Sequence, residues 1–131
     1  MARPRPCPCG TGATYDECCR RFHRGEGTAT TAEELMRSRY SAFVEHDEAY
    51  LLRTWHPATR PDSITFDPDL RWAGLEIVGT EGGGAGDRDG VVEFRAHHRR
   101  AGEAGVHHEV SRFRHQDGGW LYVRGRVLEA P

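Results

Sequence analysis

The residues best suited to chemistry are the cysteines, and all four of them fall within the thirteen-residue stretch "CPCGTGATYDECC". Cys7 and Cys9 flank a proline, and the adjacent pair Cys18 and Cys19 completes the spacing C-x-C-x8-C-C. Four thiolates in one short loop suit a tetrahedral Zn²⁺ ion with no open coordination position, so we expect a structural zinc site. His23 lies four residues after Cys19 and is the alternative fourth ligand. The competing interpretations are two disulfides, which need an oxidising compartment, and a redox dithiol, which is more typical of a lone C-x-x-C motif.

Length and composition limit the class of protein. The chain has 131 residues, 37% of them hydrophobic and 29% charged, which is typical of one compact globular domain. No apolar run approaches the roughly 18 residues that a membrane span requires, and no apolar stretch follows the N-terminal arginines as it would in a signal peptide. We therefore expect a cytoplasmic protein without membrane insertion, and in that compartment clustered cysteines are more often metal ligands than disulfides.

Charge is spread unevenly along the chain, although the net charge is only −2. Residues 1 to 25 carry two acids and five arginines, which are Arg3, Arg5, Arg20, Arg21 and Arg24. These arginines would offset the negative charge of four thiolates. They could also contact nucleic acid, but the segment lacks the interleaved aromatic side chains on which bases stack, so we expect such binding to be weak.

The cysteine segment and the residues after it resemble known families. "CPCGTG" followed by "ECC" is similar to the SEC-C zinc motif at the C-terminus of the SecA translocase. "LMRSRYSAFVEHDEAYLLRTWHP", with "SRF" and "GW" further on, resembles the YchJ-like family of small bacterial proteins. The resemblance implies a SEC-C-type zinc knuckle at residues 1–24 and a nuclear-transport-factor-two-like domain at residues 31–131. Such a cystatin-like domain is a curved antiparallel sheet packed on N-terminal helices, and the family has no settled biochemical role.

The patterning of the residues favours the same fold class. Thr31 and Glu34 form a capping box ahead of apolar residues at helical spacing, which predicts a helix over residues 31–45. Asp47 can cap a second helix that continues through Trp55 and is halted by the proline at position 57. The glycine-containing residues 25–30 are then a linker. Helices first and strands afterwards indicate an α+β domain.

Four strands are predicted in the second half of the chain, at residues 75–80, 91–99, 106–115 and 120–127, with a flexible turn at 81–90. A two-residue turn at Asp117-Gly118 predicts the β-pairs Gln116/Gly119, Phe113/Tyr122, Ser111/Arg124 and Glu109/Arg126. For the preceding hairpin, pairing Arg99 with Val106 predicts Phe94/Ser111, Val92/Phe113 and Glu93/Arg112. The resulting sheet is an antiparallel meander.

This register collects polar groups on an otherwise apolar face of the sheet. The apolar members are Val92, Phe94, Ala96, Phe113, Trp120 and Tyr122, and the polar ones are His107, Glu109, Ser111 and Arg124. Tyr40 and Trp55 of the helices are candidate walls. A small amphipathic ligand could be held in such a pocket. The alternative is that these polar groups lie hydrated or paired at the rim of the sheet.

Histidines are numerous but do not form a predicted catalytic or metal site. The predicted register sets His97 opposite His108 and His98 opposite His107, but no carboxylate or cysteine completes a ligand set, so a pH-sensitive exposed patch is favoured. His56 is a candidate general base, although a histidine at a helix end is more often structural.

These observations favour a binding or adaptor module with a structural Zn²⁺ and a protein or small-molecule partner. Arginines near Glu109 would keep its carboxylate ionised, which makes it a poor general acid. The first alternative is a lyase, isomerase or hydrolase that uses the concave pocket, by analogy of fold. The second is nucleic-acid or ribosome contact through the arginine-rich knuckle. No nucleophile elbow, phosphate loop or paired-carboxylate site is recognisable in the sequence.

Overall fold

The computed structural model describes residues 5–128, and these residues form an α+β domain preceded by a cysteine-rich segment. The helices are α1 (Cys19–His23), α2 (Ala32–Glu45) and α3 (Glu48–Arg53), and the strands are β1 (Leu70–Gly82), β2 (Asp89–Arg100), β3 (Glu103–Gln116) and β4 (Gly119–Val127). The strands form one antiparallel sheet in the order β1-β2-β3-β4. The predicted fold class is confirmed. The ends of the two predicted domains, residues 1–4 and 129–131, lie outside the described residues.

Helix α2 forms where the capping signal predicted it. The side-chain oxygen of Thr31 accepts a hydrogen bond from the amide of Glu34 at 3.1 Å, which satisfies one of the free N–H groups of the first turn. The carboxylate of Glu34 accepts from the amide of Thr30 at 2.8 Å, so it reaches one residue further back than a capping box requires. No helix in the described part of the chain is long and apolar enough to cross a membrane.

Helix α3 begins at its predicted cap but is shorter than predicted. The carboxylate of Asp47 accepts a hydrogen bond from the amide of Tyr50 at 3.1 Å. The helix ends before Trp55, whose backbone pairs with β4 instead. Next to it, the amide of Tyr122 donates to the carbonyl of Thr54 at 2.8 Å. Continuing the helix would break this pairing, so the edge of the sheet determines where α3 stops.

Strand β1 is longer than its sequence predicted, because it begins at Leu70 rather than at residue 75. Bulges after Trp72 and after Ile77 interrupt its pairing with β2. Each bulge shifts the inward and outward alternation of side chains by one residue, which hides the period-two pattern from a reading of the sequence. The predicted turn at residues 81–90 is correspondingly shorter at both ends.

The β2–β3 hairpin turns at Ala101-Gly102, where φ is 52° and 86°. The predicted pairing of Arg99 with Val106 is therefore wrong, and Arg99 pairs with Ala104. The predicted partners of Val92, Glu93 and Phe94 are wrong by the same slip, and the observed partners are Ser111, Val110 and Glu109. An alanine at positive φ gives no turn signal in a sequence, so this turn was missed. Because the slip is an even number of residues, every side chain keeps its predicted face.

The β3–β4 hairpin confirms the predicted turn at Asp117-Gly118 and the pairs Gln116/Gly119 and Phe113/Tyr122. A bulge then inserts Val123 into β4, so that Arg124 pairs with Arg112 rather than with Ser111. The predicted pairs Ser111/Arg124 and Glu109/Arg126 are therefore wrong, and the observed ones are Ser111/Gly125 and Glu109/Val127. The bulge also moves Arg124 from the predicted inner face to the exposed outer face.

The main core lies between α2 and the inner face of the sheet. Its buried side chains include Leu35, Met36 and Tyr40 of the helix and Val92, Phe94, Ala96, Phe113 and Trp120 of the strands. Tyr122 packs against this cluster and is partly buried. The predicted composition of the apolar face is confirmed, because the register errors left these residues on one side.

The start of α2 packs closely against a pair of glycines in the sheet. The amide of Ala32 donates to the carbonyl of Gly83 at 2.9 Å. A Cβ atom on Gly90 would lie 2.6 Å from the Cα of Gly83 and 2.9 Å from the Cβ of Ala32, well inside van der Waals contact. Only glycine fits at position 90 without moving backbone.

We predict that Gly90→Ala lowers the free energy of unfolding by about 1–3 kcal/mol, because the added methyl group overpacks this contact. Urea denaturation monitored by circular dichroism measures the change. Gly86→Ala is the matched control, since a Cβ on Gly86 meets no atom within 4 Å. Equal stability of the two variants would show that the helix does not depend on this close approach.

Candidate functional site

The four cysteines converge in a loop that ends at α1. Their sulfur atoms all lie within 4.8 Å of one another, and none is in a disulfide. Gly10 and Gly12 adopt φ of 85° and 90° between the two pairs, which permits the tight return of the chain. All four side chains are buried, with at most 9% exposure. This arrangement could hold a metal ion.

Proximity couples the thiols to one another. Hydrogen bonding with Cys19 lowers the pKa of Cys7, and the same contact raises the pKa of Cys19. The thiolate of one cysteine is thus stabilised by the protons of its neighbours. A cation at the centre of the cluster would stabilise all of them as thiolates.

His23, the alternative fourth ligand, does not join the cluster. Its Nδ1 lies 2.7 Å from the hydroxyl of Tyr15, and its Nε2 lies 2.8 Å from the carbonyl oxygen of Ser38. Both ring nitrogens therefore already have hydrogen-bond partners. The group of candidate ligands among the described residues consists of Cys7, Cys9, Cys18 and Cys19.

The cysteine cluster packs on helix α2. Arg37 of the helix donates through Nη1 to the carbonyl of Cys9 at 2.6 Å. The sulfur of Cys7 lies 3.4 Å from the hydroxyl of Ser41, and the thiol of Cys19 donates to the carbonyl of Arg37 at 3.7 Å. The loop is thus attached to the same helix that forms the core.

A cavity of about 300 Å³ lies between the inner face of the sheet and the helices. Five of the six predicted pocket residues line it, namely Tyr40, Trp55, His107, Glu109 and Ser111. Arg124 does not, because the bulge at Val123 turns it outward. The remaining wall is largely apolar and consists of Met36, Phe43, Trp72, Phe94, Ala96, Tyr122 and the buried Arg39.

Glu109 is surrounded by hydrogen-bond donors. Its carboxylate lies 2.8 Å from Nε2 of His107, accepts from the hydroxyl of Ser111, and accepts from the hydroxyl of Tyr122 at 3.3 Å. Burial by itself raises the pKa of Glu109, but the hydrogen bonds from His107 and Ser111 outweigh it, and the net pKa is lowered. Burial and the nearby Glu109 charge raise the pKa of Tyr122, which stays a neutral donor.

Arg39 is the charged member of the cavity that sequence reasoning missed, together with the apolar Met36, Phe43 and Trp72. It is only 3% exposed, and its guanidinium lies 5.0 Å from the ring centre of Trp55 and 4.6 Å from that of Tyr122. Burial lowers its pKa to about 10, so it remains charged at neutral pH. Its position in the sequence was consistent with burial. Arg39 follows Leu35 by four residues and precedes Phe43 by four, so it lies on the apolar stripe of α2.

The two predicted cross-strand pairs of histidines do not form. The predicted pairs His97/His108 and His98/His107 are wrong, because the register slip places His108 opposite Arg95 and His107 opposite Ala96. His108 instead lies 2.7 Å from the carboxylate of Glu93. Nδ1 of His56 accepts a hydrogen bond from the amide of Ala58 at 3.0 Å, which fits a structural role for this histidine.

Comparisons with known proteins agree with this architecture. A family model described as the YchJ middle NTF2-like domain matches residues 31–125, and the SEC-C motif matches residues 3–21. The chain belongs to the YchJ-like family. The resemblance drawn from the sequence is thereby confirmed for both parts of the chain.

The matches to relatives and to solved structures cover nearly the whole chain. UPF0225 proteins of Streptomyces coelicolor and Cupriavidus metallidurans are 53% and 46% identical, covering 95% and 96% of this chain and 97% and 92% of their own. The solution structure of a SEC-C motif containing protein from Rhodopseudomonas palustris has a TM-score of 0.81 at 34% identity, covering 94% of this chain and 98% of that one. The crystal structure of a SEC-C motif containing protein from Psychrobacter arcticus has a TM-score of 0.74 at 30% identity, covering 95% of this chain and 84% of that one. These names state no activity.

The ionised state of Glu109 predicts a pH dependence of stability. A lowered folded pKa contributes stability that is present above the unfolded value, about 4.3, and is lost as pH falls through the folded value. We expect the free energy of unfolding to fall more steeply as pH decreases below about 5 in the wild type than in Glu109→Gln. Urea titrations across this range measure both profiles. Parallel profiles would show that the surrounding donors do not hold Glu109 ionised.

Proposed function

We propose that the four cysteines bind one Zn²⁺ ion in a structural site. A tetrahedron with Zn–S bonds of about 2.3 Å has sulfur atoms about 3.8 Å apart. Two of the separations in the cluster are 3.6 Å, between Cys9 and Cys18, and 3.9 Å, between Cys18 and Cys19. The donor set and its spacing therefore fit zinc, and four protein ligands leave no coordination position for a substrate.

The ion would join the loop to the start of α1 and keep both against α2. The contacts of Arg37 and Ser41 with the loop support this role, because they depend on the loop keeping its present shape. Four free, buried thiols also suit a reducing compartment, and we propose a cytoplasmic location on that basis.

For the cavity we propose a binding function, so that the chain acts as a binding or adaptor module. The observation that supports it is a cavity of about 300 Å³ with a largely apolar wall and a few buried polar groups, which is typical of small-molecule sites. Glu109 is poorly suited to general acid or base catalysis, since a carboxylate with a lowered pKa neither gives up nor takes a proton readily near neutral pH. A small molecule is the partner favoured by this concave site, and a protein partner is the alternative.

An enzyme is the second candidate, and one contact favours it. His107 lines the cavity, and Glu109 orients its ring through a hydrogen bond of 2.8 Å. A histidine oriented by a carboxylate is a common general base, and it would fit a lyase, isomerase or hydrolase. We rank this below binding, because the only contact among the described residues that favours it is this hydrogen bond, whereas binding is supported by the cavity as a whole.

Contact with nucleic acid or the ribosome is the weaker proposal. Two arginines of the cysteine segment are already paired, Arg5 with Glu45 at 2.7 Å and Arg20 with Asp16 at 3.1 Å. Arg3 lies outside the described residues. The segment therefore offers fewer free cations to phosphates than its composition implies, and we expect weak, salt-sensitive binding.

A metabolite screen by thermal shift, with product analysis of every hit, tests binding against catalysis. We expect hits that stabilise the wild type and are recovered chemically unchanged. His107→Gln is the test variant, and His108→Gln on the outer face is its control. A hit that the wild type and His108→Gln consume, but His107→Gln does not, would establish the enzyme and refute the binding proposal.

We predict that the protein purified under reducing conditions contains about one zinc ion per chain. Cys19→Ala should lose the metal and disorder the segment 5–24, while the sheet domain still unfolds cooperatively because it has its own core. His23→Ala, the matched control, should keep the metal. Metal analysis with amide hydrogen exchange measures both effects. Zinc retained in Cys19→Ala but lost from His23→Ala would overturn the proposed ligand set.

A further inference from the structure

The charge of Arg39 is buried without a counter-ion in contact. Its side chain lies between α2, the end of α3 and β4, with 3% exposure. No carboxylate among the described residues lies within 4.0 Å of its guanidinium, whereas arginines 5, 20, 37, 95, 100 and 114 all have one. The nearby Glu109 charge opposes the effect of burial on the pKa of Arg39 but does not cancel it. A buried charge without an ion pair in contact is costly, so its retention calls for an explanation.

The hydrogen bonds of Arg39 leave part of the guanidinium free. Nη1 donates to the carbonyl of Leu51 at 2.8 Å and to the hydroxyl of Thr54 at 2.7 Å, and both acceptors are neutral. Nε and Nη2 make no hydrogen bond to residues 5–128. Nε1 of Trp55, whose ring stacks against Arg39, is also buried without an acceptor in that range. Both side chains line the cavity, so its unsatisfied groups are donors.

Glu109 does not supply the missing acceptor, because neither of its carboxylate oxygens lies within hydrogen-bonding distance of the Arg39 guanidinium. Its hydrogen-bond partners are His107, Ser111 and Tyr122. Its hydrogen bonds are therefore made to groups on the sheet, while the donors of Arg39 and Trp55 lie on the helical side, where Glu109 acts only through its charge. An anionic group of a molecule bound in the cavity would supply this acceptor.

The rest of the wall determines what else that molecule must carry. Met36, Phe43, Trp72 and Phe94 present apolar surface to the cavity. An inorganic anion alone would leave this surface in contact with water, which is unfavourable. An apolar body with one anionic end satisfies both parts of the wall.

We infer that the cavity binds a small organic carboxylate, with its anionic end at Arg39 and Trp55 and its apolar body against the aromatic wall. This inference rests on the proposed binding function and names its ligand class. Arg39 is then the anchor of the site, and the ionised Glu109 with its hydrogen-bond donors forms the wall on the sheet side. The planar guanidinium suits a carboxylate, which can accept two parallel hydrogen bonds.

Four probes that separate charge from shape test the inference by isothermal titration calorimetry. Benzoate carries the anion and the apolar ring, benzamide keeps the shape without the charge, benzylamine reverses the charge, and acetate lacks the ring. We expect benzoate to bind at least about tenfold more tightly than benzamide or acetate, as charge-assisted hydrogen bonds and ring burial would each produce. Benzylamine should not bind.

Arg39→Met should abolish the preference for benzoate over benzamide, because it removes the charge but keeps an unbranched apolar side chain. Arg112→Met, on the outer face, is the matched control and should bind like the wild type. The wild-type comparison of benzoate with benzamide stands on its own if Arg39→Met does not fold. Saturation-transfer NMR on the ring protons tests whether the ring of the probe contacts the protein.

The outcomes separate this inference from the binding proposal. Equal or tighter binding of benzamide or benzylamine would overturn the carboxylate assignment and leave a binding module with another ligand class. Binding of acetate as tight as benzoate would reduce the site to a general anion site and also overturn the assignment. No binding by any probe, together with no hit in the metabolite screen, would refute the binding function itself.

Discussion

Burial of the Arg39 guanidinium is the constraint on which the helical layer and the cavity both depend. It joins α2 to the end of α3 through Leu51 and Thr54, and it contacts the ring of Tyr122 on β4. A charge in that position must be solvated by something, and neutral carbonyl, hydroxyl and aromatic groups do so only in part. The geometry that orders three elements therefore also leaves hydrogen-bond donors at the wall of a cavity.

Helix α2 connects this cavity with the cysteine cluster. Arg37 and Ser41 contact the cysteine loop, whereas Arg39 and Tyr40 line the cavity. The proposed zinc site would thus stabilise one side of α2, whereas the buried charge of Arg39 destabilises the other side. A metal-fixed helix would hold the cavity wall rigid, which reduces the entropy lost when a ligand binds.

Much of the fold was predictable because its signals are local. Helix caps, apolar spacing and the turn at Asp117-Gly118 each depend on a few neighbouring residues. The errors arose where geometry departs from pattern, at a turn with Ala101 in a left-handed conformation and at the bulge of Val123. In the site, the inward position of Glu109 is predictable from the alternation of side chains along its strand. The inward position of Arg39 is not, because an arginine in a helix is normally taken as exposed, and only tertiary packing shows that this one is buried.

The most direct test of the central claim is the position of a carboxylate relative to Arg39. Crystals grown with 4-bromobenzoate allow the bromine to be located by its anomalous scattering and the carboxylate to be placed from the electron density. The account predicts one bromine peak among the aromatic side chains of the cavity, with a carboxylate oxygen within hydrogen-bonding distance of Nε or Nη2 of Arg39. A carboxylate facing away from Arg39, or a cavity with no bromine peak, would contradict it.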